Sequence, residues 1–151
     1  MILTCCKTTF LFITVLPLWV NPLQLPTQWT ADFTISLSYS GSMRGGSTEI
    51  LFSYDKGAYT SISPKGKYIN YTFNMTESLR KEILTKMHAW RVASIKSNPG
   101  AYAVNDSWSR SICFGTSCLE GGTSAEMSDE DKHRFLDAYN YLQQVALEKK
   151  P

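Results

Sequence analysis

Apolar and polar residues alternate over residues 31–40, with Phe33, Ile35, Leu37 and Tyr39 pointing one way and Thr34, Ser36, Ser38 and Ser40 the other. A period of two sustained this long predicts a half-buried β-strand. A turn cluster at 41–47, centred on Gly45 and Gly46, separates it from a second strand over 49–54 that sets Ile50, Phe52 and Tyr54 on one face. Asp55-Lys56-Gly57 and Pro64-Lys65-Gly66 bracket a weaker third strand at 58–62, and alternation resumes over 67–73 through Ile69, Tyr71 and Phe73. Short strands joined by turns bearing Gly and Pro predict an antiparallel four-strand meander.

At Thr76 the period changes. Leu79, Ile83, Leu84, Met87 and Trp90 recur at helical spacing as far as Arg91, behind Thr76 as N-cap and with Glu77 in the first turn, where it favours the helix dipole. Beyond an Asn98-Pro99-Gly100 turn, Trp108, Ile112 and Phe114 alternate with Ser107, Ser109, Ser111 and Cys113, and residues 117–120 return antiparallel to them. A second helix starts behind Ser128, with Asp131 three residues on as an acidic form of the capping box. Its stripe is Phe135, Ala138, Tyr139, Leu142, Val145 and Ala146, and Lys149 and Lys150 close it. No repeat or low-complexity tract divides residues 30–150, so the prediction is one α+β domain, a four-strand meander plus a C-terminal hairpin packed by two helices.

Residues 1–28 read differently. Lys7 is their one charged side chain, followed by an apolar run that ends at Pro17. A positive start and about a dozen apolar residues fit a secretory signal peptide, whereas a bilayer-spanning helix needs about 20 and is broken by Pro17, Pro22 and Pro26. No Ala-x-Ala-like processing site is present, so an uncleaved tether over residues 3–20 is the alternative, and a cut is expected within 21–29. Cys5 and Cys6 precede the apolar run and belong to the leader. The expected location is secreted or periplasmic.

Composition narrows the class of function. With 43% hydrophobic, 13% aromatic and 19% charged residues, the chain can fill a core and is not a disordered tail. Fifteen basic residues face 13 acidic ones, and loss of Lys7 leaves 14 against 13, too even a balance for a nucleic-acid partner.

The cysteines carry one geometric expectation. If Gly115-Thr116 is a two-residue type II′ turn, Phe114 pairs with Ser117, and Cys113 faces Cys118 at the closely spaced, non-hydrogen-bonded position. A disulfide can span that separation, and an exported protein meets an oxidising compartment. Ile112 then faces Leu119 on the core side and the bridge lies on the outer side. A catalytic dithiol is disfavoured because the spacing is not Cys-x-x-Cys at a helix N-terminus. A zinc site from Cys113, Cys118, His88 and His133 lacks paired short spacing, and oxidised cysteines cannot form one.

His88 and His133 are the only histidines, and neither has a nucleophile motif beside it. Sequons at Asn70, Asn74 and Asn105 would be used only in a eukaryotic secretory pathway, and their hydroxyl residues have local structural explanations. Gly45-Gly46 and Gly121-Gly122 are explained as turns. Tyrosines are abundant, and Tyr39, Tyr54, Tyr59, Tyr68 and Tyr71, joined by Arg44 in the first turn, form the candidate recognition surface of a sheet face. The expected function is a small exported monomeric binding module, without cofactor, metal or catalytic residues, engaging a protein, peptide or glycan. The alternatives are a small extracytoplasmic hydrolase with His88 or His133 as general base, and a membrane-tethered structural envelope protein.

Overall fold

The computed structural model describes residues 24–41, 45–98, 100, 108–123 and 125–151. Six strands form, β1 (Ile35–Ser40), β2 (Ser47–Phe52), β3 (Lys56–Ile62), β4 (Tyr68–Asn74), β5 (Ser109–Phe114) and β6 (Ser117–Gly122), with α1 (Glu77–Ala89) after β4 and α2 (Asp129–Glu148) after β6. They make one antiparallel sheet in the order β4-β3-β2-β1-β5-β6. The meander and the hairpin therefore join through β1, which pairs with β2 on one side and β5 on the other. This is the single α+β domain the hydrophobic pattern predicts.

Side-chain parity builds the core. Ile35 lies opposite Phe52 and Phe114, and Leu37 opposite Ile50 and Ile112, so one face of three adjacent strands is apolar up to Tyr39, which lies opposite Thr48 and Arg110 at its margin. Both helices cover that face. The α1 stripe buries Ile83, Leu84 and Met87, with Leu79 and Trp90 half-buried at its margins, and the α2 stripe is buried at all six predicted positions. Trp90 meets Tyr141 edge-to-face at 5.5 Å, which locks the helices together. The Tyr71 hydroxyl donates to the Ala146 carbonyl at 2.9 Å, which holds the end of α2 over the far side of the sheet.

Several boundaries differ from the sequence prediction for local reasons. β1 starts at Ile35 rather than residue 31 because residues 30–33 turn, with the Phe33 N–H on the Thr30 carbonyl at 3.1 Å. The Trp29 indole N–H donates to the Phe33 carbonyl at 2.8 Å, and its ring is buried in the core. β2 ends at Phe52, which puts Tyr54 in the turn that follows instead of on the strand. Gly121 and Gly122 belong to β6, not to a turn. A Cβ at Gly121 would collide with the Phe135 ring, and one at Gly57 with the Phe73 ring, so each glycine makes room for an aromatic lying flat on the sheet.

The N-caps are as predicted at Thr76 and Ser128, whose hydroxyls accept from the Leu79 and Asp131 N–H groups. Only half of the expected capping box forms at α2. The Asp131 carboxylate turns instead to the Lys96 N–H and the Arg134 guanidinium, tying the helix start to the segment after α1.

Candidate functional site

With both helices on one face, the other face of the sheet has no helix over it among the described residues. Parity places on it Ser36 and Ser38 from β1, Glu49 and Leu51 from β2, Ala58 and Thr60 from β3, and Ser111 and Cys113 from β5. These residues line a shallow trough across the four central strands. It is shallow because the side chains are short. The Ser38 and Ser111 hydroxyls share a hydrogen bond of 2.8 Å, and the Asn70 amide donates to Thr60 at 3.0 Å and to the Tyr68 hydroxyl at 3.1 Å, so the polar surface continues to β4. Glu49 stands near its centre and has no ion-pair partner among the described residues. Such a surface can donate and accept hydrogen bonds with little side-chain ordering cost, since Ser and Thr have few rotamers to lose.

At one side of the trough lies the disulfide. Cys113 and Cys118 face each other across the β5–β6 hairpin with a Cα separation of 4.0 Å, Phe114 pairs with Ser117, and Ile112 faces Leu119 on the core side. Gly115 adopts the positive φ of 58° that the first position of a type II′ turn requires. The bridge thus lies on the outer face, where the register predicts it.

The tyrosine surface does not survive as drawn. Tyr59 and Tyr71 are each only 8% exposed, stacked on one another at 4.9 Å beneath α2, because their parity is that of the core. Burial, with Tyr59 alongside, pushes the Tyr71 phenol up from its ordinary value. Tyr39 is half-buried on the same side. Tyr54 is exposed, but its ring lies under the Arg80 guanidinium at 4.0 Å, away from the trough. Tyr68 alone of the five both faces outward from the sheet and is well exposed, at 61%. Arg44 and Asn105 lie outside the described residues, as does the leader up to residue 23.

The histidines are separated from one another and from the trough. His88 borders a cleft between residues 27–29 and α1, and its Nε2 sits 3.0 Å from the Pro26 carbonyl. Arg80, in the same cleft, is engaged by the Tyr54 and Met75 carbonyls at 2.6 and 2.7 Å. His133 is exposed on α2. Neither histidine hydrogen-bonds a hydroxyl among the described residues, the contact a Ser-based hydrolase would need. No three of His, Cys, Asp or Glu gather there as a metal site would require.

One contact had no sequence signal. Arg110 lies between the rings of Trp108 and Tyr139, 4.9 and 5.0 Å from their centroids, with its Nε buried and without a hydrogen-bond partner among the described residues. Burial raises the Tyr139 phenol, and the nearby guanidinium opposes that shift.

The sequence matches no protein-family model and no curated protein.

Proposed function

We propose that the chain is an exported, non-enzymatic recognition module whose open sheet face engages an extended peptide or a flat protein surface. The observation that carries this reading is the trough of Ser36, Ser38, Glu49, Thr60 and Ser111, set around the exposed Leu51 and Ala58, a mixed face four strands wide that neither helix covers. The hydroxyls offer donors and acceptors in register, and Glu49 favours a partner carrying Lys or Arg opposite it. The recognition surface is thus the serine and threonine face, with Tyr68 at its rim, in place of the tyrosine cluster.

A photo-crosslinking amino acid at Thr60 tests this directly in the native host, with a matched probe at Asn140 on the exposed side of α2. A discrete adduct from position 60, absent from position 140, is expected. Adducts from position 140 alone, or none from position 60, would overturn the assignment.

The disulfide and the apolar leader together support export. Because Leu25 packs against the core, Trp29 is buried and the Pro26 carbonyl contacts His88, processing should fall before Leu25. Intact mass of protein recovered from its host should show a chain that has lost about the first 20 residues, retains Leu25 and gains two hydrogens on reduction. The bridge closes a short loop and should contribute only about 2 kcal/mol. A full-length, membrane-bound mass would make the segment an anchor, and two free thiols would remove the disulfide.

A further inference from the structure

The two edges of the sheet are treated differently. At β6 the edge is blunted, because the Ser97 hydroxyl caps the Glu120 carbonyl and Asn98 bridges to Glu126 just beyond the strand. At β4 nothing comparable occurs among the described residues. Its seven residues, Tyr68-Ile-Asn-Tyr-Thr-Phe-Asn74, contain no charge, no Pro and no Gly. Natural edge strands usually carry a charge, a proline or a bulge to prevent pairing with another chain, and an uncharged run of high β-propensity is the opposite.

The hydrogen-bond phase shows which main-chain groups are free. The Met75 N–H bonds the Asp55 carbonyl, and the Ser63 N–H bonds the Lys67 carbonyl, so odd-numbered residues of this strand point toward β3. Tyr68, Asn70, Thr72 and Asn74 therefore present their N–H and C=O groups at the open edge. We infer that this edge pairs with the same edge of a second copy of the chain, antiparallel about a two-fold axis at Tyr71, to form one continuous sheet. This inference is independent of what the trough recognises, and it replaces the expectation of a monomer.

The sequence is self-complementary in that register. Asn70 faces Thr72 of the second copy and Tyr68 faces Asn74, all on the open face and all outward-bonding, while Ile69 meets Phe73 on the core face. Every pair matches polar with polar or apolar with apolar, and no like charges meet. Exposed apolar side chains gather at the same edge. Of the five large ones among the described residues, Tyr68 lies on β4, Ile62 is its partner on β3, and Leu147 follows Ala146, whose carbonyl holds Tyr71. Main-chain bonds would supply affinity, and these side chains would add apolar contact around them.

Sedimentation across a dilution series of the chain recovered from its host should show a dimer that dissociates on dilution. The double variant Asn70→Lys with Thr72→Lys sets lysines face to face across the axis and should weaken association at least tenfold. Asn70→Lys with Thr72→Glu instead sets Lys opposite Glu in this register alone, and should restore the dimer. Far-UV circular dichroism should be the same for all three. A wild-type monomer at every concentration, a dimer indifferent to the double lysine, or a monomer whose mass carries sugar at Asn70 or Asn74 would each overturn the inference.

Discussion

Replacing Leu142 with alanine is expected to lower the free energy of unfolding by about 2–5 kcal/mol. Leu142 is completely buried in the middle of the α2 stripe, between Phe135 and Tyr139 on one side and Val145 and Ala146 on the other. The cost of such a truncation depends on whether the surroundings can close the hole, and here α2 is held at several points. Tyr71 bonds the Ala146 carbonyl at 2.9 Å, Tyr139 reaches the Ser38 carbonyl at 3.4 Å, and Asp131 anchors the helix start. With the helix unable to settle inward, the loss should fall in the upper part of that range. Urea unfolding should show a lower midpoint with an unchanged slope, the mark of a change in stability rather than in the denatured state. Asn140→Ala, on the exposed side of the same helix, should stay within about 0.5 kcal/mol of wild type. Equal midpoints for Leu142→Ala and wild type would mean that α2 is peripheral to the core.

That prediction rests on a stripe that was readable from the residues alone, and the contrast with the tyrosines shows why. Helical spacing in α2 fixes six buried positions because a wide apolar face has one energetically acceptable orientation. The Cys113–Cys118 bridge was equally legible, since a two-residue turn fixes cross-strand register over the next few positions. Tyr71 obeyed the same logic. Alternation places it with Ile69 and Phe73, on the side that must be buried, and this parity outweighs the general tendency of tyrosine to sit at a surface. Tyr59 was harder, because its strand alternates weakly, and only its pairing with Ile50 reveals its face. The trough itself had no sequence signal. Ser36, Ser38 and Ser111 look like ordinary solvated strand positions, and their juxtaposition depends on β5 pairing with β1, a contact between residues more than 70 apart in the chain. Nothing local encodes such a long-range pairing. The role of Gly121 was likewise hidden, because the ring it accommodates, Phe135, belongs to another element.

Asp131 gives a second large effect, with a pH signature. It is 8% exposed, and its carboxylate accepts from the Lys96 N–H and pairs with Arg134. Asp131→Ala should destabilise by on the order of 2 kcal/mol, since it removes the acceptor of the Lys96 N–H and the closer carboxylate of Arg134, which keeps only Ser94 Oγ at 3.0 Å and the exposed Glu130. The ionised form matters as well as the contacts. Burial alone would raise the carboxyl pKa, but the hydrogen bonds from the Lys96 N–H, Ser128 and Arg134, together with the Arg134 charge, outweigh it and hold the value below normal. A carboxyl with a depressed folded-state pKa stabilises the fold above its unfolded value of about 3.9, and that contribution disappears as pH falls through the lower folded value. The stability gap between wild type and Asp131→Asn should therefore be full and flat at neutral pH and shrink on acidification below about 4. Thermal or urea unfolding of both proteins from pH 7 to pH 2 reads that gap directly. A gap that stayed constant across this span would show that the hydrogen-bonding shape of residue 131, and not its charge, ties α2 to the segment following α1.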